Sequence, residues 1–207
     1  IIKIDNDDNF WSMGDTGPCG PCTEIFYDNG IKISGGIPGT KDQDGDRYIE
    51  IWNLVFMEFL KTKDGLNHLP GKYVDTGMGL ERLTAVINGK LNNYETDLYL
   101  DLLDEIKKLS GVKADKKNIS SFRIISDHIK SISFLMSEGI LPTNEGRGYV
   151  LRRIIRRALL HCHKLNKNVL ILSNLIDNII HKYSSYYYEL NEARTFVSKN
   201  LSVEEEK

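Results

Sequence analysis

No run of consecutive apolar residues in this 207-residue chain approaches the roughly 20 that a membrane-spanning helix requires. The first residues also lack the basic-then-apolar layout of a secretory leader. The expectation is a soluble protein with no membrane span, cytoplasmic or in an organellar form. Cysteine is scarce: Cys19, Cys22 and Cys162 are too few, and odd in number, to staple a secreted domain, so a reducing compartment fits. Charge of one sign is missing as well, with 27 Lys and Arg against 29 Asp and Glu. There is no internal repeat and no low-complexity tract. What is present, 41% hydrophobic and 27% charged residues, excludes a disordered tail and allows one sizeable core or two small ones. There is no initiator Met before Ile1, and the run Glu204-Glu205-Glu206-Lys207 stops without a turn or cap signal. Both ends therefore read as cuts through a longer polypeptide.

The balanced total conceals an asymmetry. Residues 1–92 hold 9 Lys and Arg against 14 Asp and Glu, and residues 93–207 hold 18 against 15. From Gly146 to Asn168 the chain carries Arg147, Arg152, Arg153, Arg156, Arg157, Lys164 and Lys167 with no acid. A phosphate backbone responds to that local excess rather than to the net charge.

Hydrophobic periodicity divides the chain at the same place. Up to about residue 90, short apolar runs alternate with Gly17-Pro18, Gly20-Pro21, Asn29-Gly30, Gly35-Gly36, Pro38-Gly39 and Asp64-Gly65, which is the punctuation of strands and turns. Glu24–Tyr27, Tyr48–Leu60 and Lys72–Asp75 read as strands of an antiparallel sheet. From Gly79 the period becomes helical, through Leu80, Leu83, Thr84 and Ile87 and then Leu98, Leu102, Leu103 and Ile106. Helices are predicted over Asp97–Leu109, Phe122–Ser137, Gly148–Lys164, Asn168–Tyr188 and Glu189–Lys207, with Pro142 and Gly146 breaking the chain before the third. The result is an α+β chain, with a sheet domain over 1–92 and a helical domain over 93–207.

The densest chemistry lies in Val74-Asp75-Thr76-Gly77-Met78-Gly79-Leu80-Glu81-Arg82-Leu83, between a strand and a helix. Two glycines let backbone approach a ligand, and Arg82 arrives on the first helical turn, where a guanidinium can reach a phosphate. An ordinary glycine turn with a surface pair from Glu81 to Arg82 is the plainer alternative.

Gly77-Met78-Gly79-Leu80-Glu81-Arg82 resembles motif 3 of class II aminoacyl-tRNA synthetases, and with Val74-Asp75-Thr76 before it the alanyl family in particular. Three more segments agree in order: Asn9-Phe10-Trp11-Ser12-Met13-Gly14-Asp15 through Pro18-Cys19-Gly20-Pro21-Cys22-Thr23-Glu24 to Asp28, Asp46-Arg47-Tyr48-Ile49-Glu50-Ile51-Trp52-Asn53 to Met57, and Gly148-Tyr149-Val150-Leu151-Arg152-Arg153 to Ala158. The resemblance implies part of a class II antiparallel sheet followed by an all-helical, truncated tRNA-recognition region. The implied reaction is ATP-dependent activation of alanine and transfer to tRNA(Ala), with ATP and Mg²⁺ required. By the same resemblance Asp75 pairs with the alanine ammonium, Trp11 and Val55 wall a methyl-sized pocket, and Asn53 hydrogen-bonds the amino acid. Gly77 leaves room for the substrate, Gly79 lets ATP approach, and Arg82 holds the γ-phosphate, so that Asp75 and Arg82 carry catalysis. Asn53 and Val55 share a strand face, as do Asp75 and Gly77. Glu50 is the candidate Mg²⁺ and ATP ligand, yet strict alternation sets it opposite Asn53 unless a bulge intervenes.

A methyl-sized pocket separates alanine from glycine or serine by only about 1–3 kcal/mol. The family corrects such errors in a zinc-bearing editing domain, which these residues do not contain. Cys19-Gly20-Pro21-Cys22 with His161-Cys162-His163 has ligand-like spacing, but no second C-x-x-C accompanies it, and a proline-stiffened loop with buried thiols fits better. Asp42, Asp44 and Asp46 lack the Gly and Glu placement of an EF-hand and read as a solvated turn. Asp127-His128 reads as a helix hydrogen bond.

In the basic helix, Val150, Leu151, Ile154, Ile155, Ala158 and Leu159 form one predicted stripe and Arg152, Arg153, Arg156 and Arg157 an adjoining one. With the resemblance, those arginines together with Arg147 and Asn144 are candidate contacts for the acceptor stem. The family carries an asparagine just before Arg-Gly-Tyr, where this chain has Gly146, with Asn144 two positions away. Motif 1 and the motif 2 arginine are not found before Trp11. Residues 1–207 alone are therefore expected not to adenylate, and a non-catalytic RNA-binding module of synthetase descent is the alternative. Nothing in the sequence sets an oligomeric state.

Overall fold

A computed structural model describes residues 1–5, 9–166, 168 and 170–206; Lys167 of the basic run and Lys207 at the chain end lie outside the described residues. The chain divides into two compact units, Ile1–Thr96 and Asp97–Lys207. The sequence pattern put the division after residue 92; the structure puts it after the short 3₁₀ turn Asn93–Glu95.

The first unit is a four-stranded antiparallel sheet in the order β1-β2-β3-β4, made of β1 (Phe10–Ser12), β2 (Gly17–Asp28), β3 (Tyr48–Thr62) and β4 (Gly65–Met78). Two of these strands run well past their predicted limits. β2 reaches back through Gly17-Pro18-Cys19-Gly20-Pro21, and its pairing with β3 shifts between Cys19 and Cys22. Gly20 makes that passage possible, since a Cβ there would lie 1.9 Å from the Phe56 carbonyl oxygen. β4 tolerates Pro70 because it borders the described sheet, where a missing N–H breaks no ladder bond on its outer side. The Trp52 indole donates to Thr76 Oγ1 at 2.6 Å, and that hydroxyl donates to the Asn53 carbonyl at 2.9 Å. These two bonds fasten β3 to β4 where the sheet leads into helix α1 (Leu80–Ile87).

The second unit is helical: α2 (Asp97–Ser110), α3 (Ile119–Ser137), α4 (Gly146–Asn166), α5 (Leu172–Tyr183), α6 (Glu189–Glu192) and α7 (Arg194–Glu205). Phe122, Ile125, Ile129, Ile132 and Met136 of α3 are fully buried and meet a core that includes Leu151 and Ile155 of α4 and Leu172, Leu175 and Ile179 of α5. Each such side chain contributes about 1.5–3 kcal/mol on leaving water. The buried hydroxyls of Ser110 and Ser133 bond back to the carbonyls of Ile106 and Ile129, which satisfies them without interrupting the core.

Three helical expectations need correction. The continuous helix predicted over Asn168–Tyr188 is α5 alone, ending at Tyr183, after which Tyr186, Tyr187 and Tyr188 stand exposed. The helix predicted over 189–207 is two, because Ala193 with ψ −5° ends α6 and opens α7. Leu190 of α6 and Val197 and Leu201 of α7 are all buried. In α4 the buried row is Gly148, Leu151, Ile155, Ala158 and Cys162. Val150 is 56% exposed, since it sits a full residue off the i, i+3, i+7 line that faces α3.

Candidate active site

Cross-strand pairing brings the sheet candidates together in two adjacent rows. Glu24 on β2 pairs with Asn53 on β3, which pairs with Gly77 on β4; one step along, Cys22 pairs with Val55 and Val55 with Asp75. Side chains so paired stand on one face of the sheet. β1 contributes Trp11, which is opposite Gly20, two positions before Cys22. Cys22 and Val55 are buried at the middle of this face, while Trp11 and Asp75 are exposed.

Glu50 joins the face through a bulge. Ile25 pairs with Trp52 but Phe26 pairs with Glu50, leaving Ile51 as the extra residue of β3. The shift restores Glu50 to the side of Asn53, from which strict alternation would exclude it. The bulge also seats the helix: the Gly79 N–H donates to the Ile51 carbonyl at 3.1 Å, and Gly79 is the N-cap of α1. Arg82, on the first turn of that helix, donates from Nη1 to the Glu50 carbonyl at 2.9 Å and to Glu50 Oε2 at 3.1 Å. Arg82 is thus ion-paired with Glu50, and such a half-exposed pair contributes only about 0–1 kcal/mol. It sets the guanidinium in place more than it stabilises the fold.

Local charges and orphaned atoms describe what this face can bind. Asn53 Nδ2 donates to Glu24 Oε1 at 3.3 Å, whereas Asn53 Oδ1 is buried with no hydrogen-bond partner. An unpaired buried carbonyl costs about 1–3 kcal/mol, which a ligand donor would recover. Burial, helped by the charge of Glu50, pushes the Glu24 carboxyl above its ordinary value. Burial also raises the Cys22 thiol, against a hydrogen bond from the Trp11 backbone that lowers it, so the thiol acts as a small apolar wall and not as a nucleophile. Asp75 Oδ1 accepts from the Thr76 N–H at 2.9 Å, which orients the carboxylate. A Cβ built on Gly77 meets no atom within 4 Å; the space above it is open. One Cβ at Gly79 would touch the Arg82 side chain at 3.3 Å. The face therefore offers acceptors for an ammonium group and, beside them, a guanidinium for an anion. The Glu50 carboxylate also fits Mg²⁺, which takes one or two carboxylates and completes its shell with phosphates and water.

Sequence reasoning did not single out Glu24, although it lay in the predicted strand Glu24–Tyr27, and it read Cys22 as a buried thiol of a proline-stiffened loop, where the structure has strand β2.

In the helical unit, α4 carries the basic candidates. Arg147, Arg153, Arg156 and Arg157 are exposed, as is Asn144 in the loop before the helix. Arg153 lies 5.9 Å from the centroid of the Tyr149 ring. Arg152 differs: it is partly buried and donates from Nη1 to Asn144 Oδ1, so it braces the loop. Gly146, where the resembling family has asparagine, takes φ +60°. That left-handed conformation suits glycine and, among side-chain-bearing residues, asparagine best. The backbone path is thus one both residues can follow, and the change removes a side-chain amide only.

The remaining motifs resolve plainly. Cys19, Cys22 and Cys162 are free and buried, and among the described residues no three His, Cys, Asp or Glu side chains form a metal-binding group. His128 Nδ1 and Asp127 Oδ2 are 3.1 Å apart, and His161 Nδ1 shares a 2.9 Å hydrogen bond with Ser121.

Comparison with known proteins covers the whole chain. A family model described as "tRNA synthetases class II (A)" matches residues 1–207. The chain is 51% identical over 206 residues to the Alanine--tRNA ligase of Rickettsia akari (strain Hartford), covering 99% of this chain and 24% of that protein. It is 52% identical over 207 residues to the Alanine--tRNA ligase of Francisella philomiragia subsp. philomiragia, covering 100% of this chain and 24% of that protein. The chain thus spans about a quarter of the length of these curated relatives.

Proposed function

Since the chain belongs to the class II (A) tRNA synthetases, we propose that its sheet unit forms part of the alanine- and ATP-binding site of an alanine--tRNA ligase and its helical unit part of the tRNA-binding surface. The observation that carries this reading is the pair of cross-strand rows Glu24–Asn53–Gly77 and Cys22–Val55–Asp75, with the orphaned Asn53 oxygen among them.

In this reading each residue acts by charge or shape. The Asp75 carboxylate holds the ammonium of alanine, and Asn53 Oδ1 accepts a second hydrogen bond from it. Trp11 and Val55 bound a space for one methyl group, and the bare Cα of Gly77 leaves room for the substrate. The alanine carboxylate attacks the α-phosphorus of ATP, forming the acyl phosphate bond of the adenylate as the bond to pyrophosphate breaks. Arg82 holds the γ-phosphate and offsets its charge, close to the amide end of α1 after Gly79, where a Cβ would crowd the approach. Glu50 would hold Mg²⁺, which supplies further charge neutralisation on the phosphates. A ribose hydroxyl at the 3′ end of tRNA(Ala) then takes the acyl group as an ester while the acyl–phosphate bond breaks and AMP leaves, and the acceptor-stem phosphates meet Arg147, Arg153, Arg156 and Arg157, with Asn144 positioned by Arg152.

Asp75→Asn in the full-length ligase tests the reading. A charge-assisted bond to an ammonium contributes about 1.5–3 kcal/mol, so alanine kcat/KM should fall by about 10- to 150-fold, with tRNA affinity nearly unchanged. Unaltered alanine kcat/KM would remove Asp75 from the site.

A further inference from the structure

Among the described residues on the site face, Glu24 has no role assigned by motif or comparison, yet its carboxylate is the hydrogen-bond partner of the Asn53 side-chain amide. We propose that Glu24 is a positioning residue that fixes the Asn53 side-chain amide, so that Oδ1 and not Nδ2 faces the amino-acid substrate. This inference rests on the reading that alanine binds here.

An asparagine amide is nearly symmetric in shape, and its neighbours decide which end points where. An ionised carboxylate accepts hydrogen bonds and donates none. Held 3.3 Å from the Asn53 side chain, Glu24 therefore selects the rotamer that turns Nδ2 toward itself. The other end of the amide, Oδ1, is left buried and unpaired, in the row that ends at the open space over Gly77. Only an acceptor there suits an ammonium group; the flipped amide would set N–H donors against it. The pairing Glu24↔Asn53 is a direct cross-strand one, so the two side chains are held by the ladder rather than by a mobile loop. Glu24 thereby contributes to recognition of the amino group without touching the ligand. Glycine and serine carry the same ammonium, so this device favours α-amino acids in general and leaves side-chain selection to Trp11 and Val55.

The test is alanine binding by titration calorimetry to the full-length ligase without ATP or Mg²⁺, which separates this role from one in metal binding. Glu24→Met, which removes the acceptor at similar length, should raise the alanine Kd about tenfold, the scale of one hydrogen bond to a charged group. Glu24→Gln, which keeps an acceptor, should raise it less, about threefold. With Asn53→Ala already present, neither change should weaken binding further, because residues that act as one unit are not additive. A Glu24 effect that persists undiminished beside Asn53→Ala would overturn the proposal, as would wild-type affinity in both Glu24 variants. Should the Met variant fail to fold, the Gln variant in the same cycle decides. Absence of alanine binding by the wild-type ligase would instead overturn the reading of the site.

Discussion

Gly77→Ala separates the cost of a substitution to the fold from its cost to the ligand. The Cβ it introduces meets no atom within 4 Å, and Gly77 does not occupy the positive-φ region. The unfolded chain loses freedom, so the substitution should stabilise the sheet by about 0.4–1 kcal/mol. With alanine bound, the same methyl group lies in the row Glu24–Asn53–Gly77, where the substrate is held. A methyl forced into a filled site costs about 1–3 kcal/mol, equivalent to a loss of about 5- to 150-fold in alanine kcat/KM. The assay is alanine-dependent pyrophosphate exchange by the full-length ligase, with a thermal melt of the same preparation. A more stable protein with impaired alanine use is the expected pair of results. Unchanged kcat/KM in a folded protein would refute the assignment of this face to the amino acid, and a lowered melting temperature would refute the claim that the space is open.

Three further outcomes follow from other parts of the molecule. The Glu205 carboxylate accepts from the N–H groups of Leu172 and Ser173 and from the Ser173 hydroxyl, capping α5 from α7. Glu205→Ala should therefore cost about 1–2 kcal/mol, measured by denaturant unfolding; wild-type stability would show that water caps α5 equally well. Asp28 is held at about 2, chiefly by the Arg47 hydrogen bond and next by the Gly30 N–H, from an ordinary 3.8. A lowered carboxyl stabilises the fold above the unfolded value, and that contribution disappears as pH falls from about 4 towards about 2. Asp28→Asn should flatten the acid limb of the stability curve, and an identical limb would remove this pair as its cause. Arg153→Ala with Arg156→Ala should weaken tRNA binding and reduce the slope of log affinity against log salt by about 2, read by filter binding across a salt series. An unchanged slope would return the exposed face of α4 to solvent.

Much of the sheet was legible in the sequence because turn dipeptides bracketed β-branched and aromatic runs. The limits of β2 and β4 were not. Gly17-Pro18 and Gly20-Pro21 read as turn punctuation, yet β2 runs through them with a register shift after Cys19 and a close approach of β3 at Gly20. Both are tertiary facts. Glu50 shows the same limit at the site: parity alone excluded it from the face of Asn53, and the extra residue Ile51 readmitted it. Motif order made Asp75, Gly77 and Arg82 candidates, while Glu24 became one only when pairing placed it across from Asn53. Among the helices, spacing located α2, α3 and α4 but not the break at Ala193, a good helix former, because Leu190, Val197 and Leu201 keep the spacing of one continuous helix face. Val150 was assigned inward by composition, and the packing of α3 against Leu151 and Ile155 turned it outward.

The most direct measurement on the central claim is amino-acid-dependent pyrophosphate exchange by the full-length protein that contains these residues, run with alanine, serine and glycine in parallel. Robust exchange is expected with alanine, exceeding serine and glycine by about the tenfold to 200-fold that a methyl-sized pocket supplies, together with its loss in Arg82→Ala. Exchange that is absent with alanine, or undiminished without Arg82, would contradict that claim.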